Sequence, residues 1–262
     1  MKQILVPTDF SDTASNAITY AAGLCKELGC EMSLITVMHV PAVDANAPLI
    51  GMNDLMEVQR KGSADRLLVI EEKIKKEHSI SVTSSAIYGL GSDVIVQEGA
   101  KEDVLLIVMG TNGASGILDK VLGSVSTAVV KRSETPVLVL PISSKYSKIK
   151  KVAFAYDYKE KITDQLEFVH ELNASKNVDI DVISIEPSES YSEEIVLDKE
   201  GVKEVSIFAE TVKAGISKYL EKENIDVLAV KRHQRTFLEE LFHKSTTKEL
   251  LSNGKVPLLV FN

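Results

Sequence analysis

VLLIVMGTNGASGILDKVLGSVS, residues 104–126, is the stretch whose reading decides the fold. Val104–Met109 is an unbroken apolar run, too short for a buried helix and closed by Gly110, so it reads as a strand covered on both faces. Glycines then punctuate the chain: Gly110, Gly113 two residues further on, and Gly123-Ser124 after nine more. Glycine suits positions where backbone must bend through positive φ or come close to a ligand with no Cβ in the way. Ser124 opens a predicted helix to Arg132. The unpaired N–H groups of its first turn, at Val125 and Ser126, and the positive end of its dipole favour an anion such as phosphate. The hydroxyls of Ser124 and Ser126 would add donors.

Working outward, the same alternation recurs. Lys2–Pro7 reads as a strand, and Ser11 offers an N-cap to a helix with apolar residues at Ala14, Ala17, Ile18, Ala21, Leu24 and Leu28, ended by Gly29. A strand at Met32–Val40, a loop with Pro41 and Pro48, and a charged helix over Asp54–His78 follow. Then come a strand at Ser81–Tyr88, a helix from Ser92 to Lys101, the quoted stretch, and a last strand in PVLVLP from Pro136. Strands alternating with helices predict an α/β fold with a doubly wound parallel sheet. Its ligand crevice lies beyond the carboxyl ends of the strands where their order reverses, which brings Pro7-Thr8-Asp9 to the glycine loop. Asp9 is placed there to accept hydrogen bonds from a ribose or a base.

Polar, basic ISSKYSKIKK at 142–151 reads as a linker, and after it the pattern begins again. Lys151–Tyr156 repeats the first strand, with Asp157 148 residues after Asp9. PLLVF repeats PVLVL, with Pro257 121 residues after Pro136, so the second copy is about 27 residues shorter. The shortfall lies between its second and third strands, where most of the long second helix is expected to be lost. A duplication this long means two tandem domains, 1–144 and 145–262, rather than a solenoid. The second copy is degenerate. Gly110, Gly113 and Gly123 are replaced by Lys231, Gln234 and Lys244, while Ser124 keeps a counterpart in Ser245. Side chains at those places would block a nucleotide, and the cluster Lys231, Arg232, His233, Arg235, His243 and Lys244 reads as a solvated charged loop.

The spacing G-x2-G-x9-G-[ST], with VPTDFS at 6–11, MGTNG at 109–113 and TPVLVLP at 135–141, resembles the ATP-binding universal stress proteins. The likeness is strong over residues 1–141 and weak from 150 onward. It implies two Rossmann-like domains of the adenine nucleotide alpha hydrolase-like type, with one live ATP site in the first half. Carried over by motif, Pro7, Thr8 and Asp9 line the adenosine side, and Val37 offers backbone to the adenine. Met109, Gly110, Thr111, Gly113, Gly123, Ser124, Val125 and Ser126 hold ribose and phosphates, with Mg2+ accompanying ATP. Family members commonly pair through their last strands, so PVLVL and PLLVF are expected to join the halves as an internal pseudo-dimer, each covering the other's apolar edge. A further homodimer stays open.

Composition narrows the function. The 262 residues are 44% hydrophobic and 26% charged, a globular balance. Thirty Lys+Arg against 38 Asp+Glu leave a net charge of −8, the wrong sign for binding nucleic acid or an anionic membrane. The apolar run before Pro7 is too short for a signal peptide, so the expected location is the cytoplasm. Cys25 and Cys30 have neither C-x-x-C spacing nor a nearby His, and the five histidines show no metal pairing. Gly89-Leu90-Gly91 mimics a dinucleotide fingerprint but lacks its third glycine at Val94, and reads as a turn. No residue reads as a general base near the phosphates. This favours a nucleotide-responsive signalling module over slow ATP hydrolysis or autophosphorylation at Ser124 or Ser126, and over a nucleotide-independent adaptor.

Overall fold

A computed structural model of the chain describes residues 1–39, 52–111, 123–156, 161–175, 177–199, 201–231 and 256–262. In the first half, strand Gln3–Pro7 (β1) leads into helix Asp12–Leu28 (α1). Strand Glu31–Met38 (β2), helix Met52–His78 (α2), strand Val82–Tyr88 (β3), helix Gly91–Gly99 (α3), strand Val104–Gly110 (β4), helix Ser124–Arg132 (α4) and strand Val137–Leu140 (β5) follow. The punctuation of α1 follows from its residues. The Ser11 hydroxyl accepts from the Ala14 N–H at 3.2 Å, and Gly29, at φ 65°, closes the C-terminus in the left-handed conformation that side chains resist.

The second half holds β6 (Lys151–Ala155), α5 (Thr163–Glu171), β7 (Asp179–Pro187), β8 (Ser192–Lys199), β9 (Val202–Ala209), α6 (Val212–Lys222), β10 (Val227–Lys231) and β11 (Leu258–Phe261). Among the described residues, eleven strands form one sheet in the order β3-β2-β1-β4-β5-β11-β10-β6-β7-β9-β8. Within each half the five repeated strands run parallel, and the halves meet where β5 and β11 pair antiparallel, Val137 opposite Val260 and Val139 opposite Leu258. Every residue of these two strands is buried. Apart, each would expose an apolar edge; paired, each covers the other.

Two expectations change. Beyond the expected loss of most of the long second helix, no remnant of it is found among the described residues between the second and third strands of the second copy. Ser192–Lys199 is instead an edge strand that folds back antiparallel on β9, and Gly201, at φ 81°, supplies the left-handed residue of the reversal. The polar stretch after β5 is not a free linker either. Ser144 and Ile149 are buried, and the Tyr146 ring sits edge-on to Tyr20 at 5.3 Å. Burial, with the Glu27 charge adding to it, pushes the Tyr146 hydroxyl up to about 12, so it stays neutral. Lys148 pairs with Glu27 at 3.0 Å, and Glu27 also accepts from the Ala174 N–H at 3.3 Å, tying α1 to the second half.

A Cβ on Gly23 would lie 2.2 Å from Cδ1 of Tyr146. Glycine to alanine in a helix normally gains about 1 kcal/mol, but forcing this ring aside is expected to cost about 1–3 kcal/mol. Urea unfolding should therefore show Gly23→Ala destabilised, and Gly23→Ala with Tyr146→Ala less destabilised than the sum of the two single changes. A stabilised Gly23→Ala would mean that the ring is not held.

Candidate functional site

The first-half sheet reads β3-β2-β1-β4-β5, so strand order reverses between β1 and β4, and the crevice of a doubly wound sheet opens beyond their carboxyl ends. A cavity of about 290 Å3 lies there. Pro7, Thr8 and Asp9 reach it from the end of β1, Val37 from β2, and Met109 and Gly110 from β4. Gly123, Ser124, Val125 and Ser126 line it from the start of α4. Thr111 lies outside the lining; its backbone spans the neck of the loop, donating to Leu140 O at 3.1 Å and accepting from the Gly123 N–H at 2.6 Å. Gly113 lies outside the described residues.

Each wall has a local cause. The buried Thr8 donates its N–H to Ile35 O at 2.8 Å, which fixes the end of β1 to β2, and its hydroxyl accepts from the Phe10 N–H at 3.0 Å. Asp9 Oδ1 accepts from the Ser11 N–H at 3.0 Å and from the Ser11 hydroxyl at 2.6 Å, an Asx turn that orients the carboxylate at the cavity mouth. Between them Phe10 adopts φ 64°, a strained conformation for a bulky residue. The Arg66 guanidinium of α2 lies 3.8 Å from the centre of its ring, a cation–π contact that pins the turn from outside.

The floor and one wall are set by helix starts. The N-caps of α3 and α4, Leu90 and Gly123, make no side-chain capping bond, and Gly91 and Ser124 both line the cavity. Helix geometry leaves first-turn N–H groups without intrahelical acceptors, so this wall presents donors and positive partial charge. Arg132 binds Asp93 at 2.5 Å, joining α4 to α3 and holding the Asp93 carboxyl below the usual carboxylate range. Ser126 plays a part the sequence reading missed: buried, its hydroxyl donates to Gly110 O at 3.0 Å, stitching α4 to β4 rather than pointing a donor at a ligand. Gly110 is likewise constrained by the protein itself, since a Cβ there would come within 3.0–3.1 Å of Thr13 on α1.

Among the described residues, Ala14, His39, Gly91 and Ile95 also line the cavity and were not singled out from the sequence as site residues. Gly91 stood in plain view in Gly89-Leu90-Gly91, which does turn the chain into α3 and also forms cavity wall. The other three carry no local signal. In the second half, Lys231 ends β10 where Gly110 ends β4, and its ammonium reaches Lys161 O at 3.4 Å. Asp157, Arg232, His233, Gln234, Arg235, His243, Lys244 and Ser245 lie outside the described residues. Among the described residues no three His, Cys, Asp or Glu side chains gather as a metal set, and no helix is long and apolar enough to cross a membrane.

Comparison with known proteins gives the chain a family. The model of the universal stress protein family matches residues 1–141 and again 150–262. A universal stress protein of Methanocaldococcus jannaschii is 32% identical over 139 residues, covering 53% of this chain and 81% of that protein. One of Synechocystis is 24% identical over 288 aligned positions, covering 100% of both chains. The crystal structure of a universal stress protein from Archaeoglobus fulgidus superposes with a TM-score of 0.71 at 19% identity, covering 99% of this chain and 98% of that one, a likeness of fold.

Proposed function

Because the chain belongs to the universal stress protein family, in two tandem copies, we propose that its first half is a cytoplasmic ATP-binding module whose occupancy signals through the pair. One observation carries the reading: the residues singled out on β1, β2, β4 and α4 line a single cavity at the switch point, against a helix start with no side-chain cap. Adenosine lies against Pro7, Thr8, Asp9 and Val37, and phosphates against Gly123, Ser124 and Val125. Mg2+ enters with ATP, held by phosphate oxygens and water. Binding rather than turnover is the primary activity, because Asp9, the carboxylate in the described lining, is engaged by Ser11 at the nucleoside end and the described residues at the start of α4, Gly123, Ser124 and Val125, supply no general base. The second half supports the first by pairing β11 with β5.

Calorimetric titration of Mg-ATP into nucleotide-stripped protein tests this. A single saturable site per chain is the expected result, with ATP released from unstripped protein on denaturation. No heat and no co-purified nucleotide would overturn the reading.

A further inference from the structure

We propose that the outward face of α2 is a self-association surface, through which two copies of this chain pair as antiparallel helices about a two-fold axis. The 27 residues of α2 span about 40 Å. One stripe faces the core, with Leu67 and Ile74 buried and Ile70 packed beside them. At 3.6 residues per turn, the stripe directly opposite is Val58, Lys61, Asp65 and Leu68. A helix face turned to water is expected to be polar. Here Val58 is 69% and Leu68 50% exposed, with Leu55 and Val69 flanking them at 57% and 69%. Elsewhere among the described residues, large exposed apolar side chains are scattered singly, so this helix gathers them.

Over Val58–Leu68 the stripe is complementary to itself. Its spacings of three, four and three residues read the same in both directions, so an antiparallel copy centred on residue 63 sets Val58 of one chain on Leu68 of the other and Lys61 on Asp65. Two central ion pairs are then flanked by one apolar contact at each end. One turn further out the same register would set Asp54 on Glu72, so the two helices cross near residue 63 and diverge before those positions. Among the described residues no ion pair engages Lys61 or Asp65, although Arg60 and Glu57 beside them bridge at 2.6 Å. Gly62 lies at the centre. A Cβ there would meet nothing within 4 Å, so the chain's own fold does not require glycine at a site where it costs a helix about 1 kcal/mol. On the flank of the stripe beside the two-fold axis, its missing side chain lets two helices come close. The apolar edges of β5 and β11 are already spent on each other.

Sedimentation velocity on the full chain over a concentration series tests the proposal. The mass should rise from one chain to two. Val58→Asp with Leu68→Asp should hold it at one chain and, at concentrations where the wild type is also one chain, leave the melting temperature unchanged, since both sites are exposed. Lys61→Asp should weaken association at least tenfold by opposing Asp65, and Lys61→Asp with Asp65→Lys should restore it. A wild type that stays at one chain throughout, a dimer that survives the Val58/Leu68 change, or a charge swap that fails to restore association would each overturn it. ATP titration of the same variants reads the cavity separately, so failure of one proposal is distinguishable from failure of the other.

Discussion

Gly123→Asp is expected to abolish nucleotide binding while making the protein slightly more stable. Gly123 is the N-cap of α4 at φ −59° and ψ 159°, extended backbone that any residue adopts. An aspartate there caps the helix with its own carboxylate and complements the dipole, contributing about 0.5–1 kcal/mol. The same carboxylate occupies the place proposed for phosphate, and two like charges a few ångströms apart at a partly shielded site repel by enough to cost at least about 100-fold in affinity. Gly123→Ser separates charge from bulk: it caps without charge, so it should lose less affinity for ATP than Gly123→Asp. Thermal melting and calorimetric titration on the same samples read both signs. If Gly123→Asp binds Mg-ATP as tightly as wild type, phosphates do not lie at α4.

The second large effect lies in the other half. Asp181 on β7 is 2% exposed, accepts from the Tyr219 hydroxyl at 2.8 Å and pairs with Lys151 at 2.9 Å; Lys151 also reaches Glu223 at 2.6 Å. Asp181→Leu leaves the buried Tyr219 hydroxyl without its acceptor and Lys151 with one carboxylate. Breaking a buried pair costs about 3–5 kcal/mol, and the surviving Glu223 contact puts the expected loss near the low end, roughly 6–12 °C in melting temperature for a chain of this size. Tyr219→Phe added to Asp181→Leu should recover part of it, because no orphaned hydroxyl then remains. A double variant no better than the single would show that the hydroxyl is not what suffers.

The same cluster has a pH window. Burial alone would lower Lys151, but its hydrogen bonds to Asp181 and Glu223 outweigh that and raise it, so its contribution is complete below the unfolded lysine value and is lost as pH climbs through the folded one. Glu223 is lowered, chiefly by its hydrogen bond from Lys151, so its contribution is present above the unfolded carboxylate value and is lost as pH falls through the folded one. The cluster therefore supports the fold between about pH 4.3 and about pH 10.4, the ordinary Glu and Lys values.

Much of this was legible beforehand, and the failures are instructive. The order of strands and helices in the first half follows from local periodicity, and Ser11 and Gly29 mark the bounds of α1 because capping is a local interaction. β8 was not legible. SEEIVLDK has neither a helical stripe nor a long apolar run, and its extended form depends on β9 being there to bond it. Tyr146 likewise reads as one aromatic in a basic linker until α1 offers it the gap over Gly23.

The residues by themselves determined the duplication, the parallel α/β halves, and a glycine loop that must sit at a helix start beyond the end of a strand, because each depends on chain chemistry within a few residues. Tertiary structure alone decided what each of those residues serves. It turned the Ser126 hydroxyl to Gly110 O and set Thr13 against Gly110. It also brought Ala14, His39 and Ile95 to the cavity from three separate elements. A sequence can show that a Cβ is excluded or that a donor is present; which neighbour excludes the one or receives the other depends on groups that only folding brings within reach.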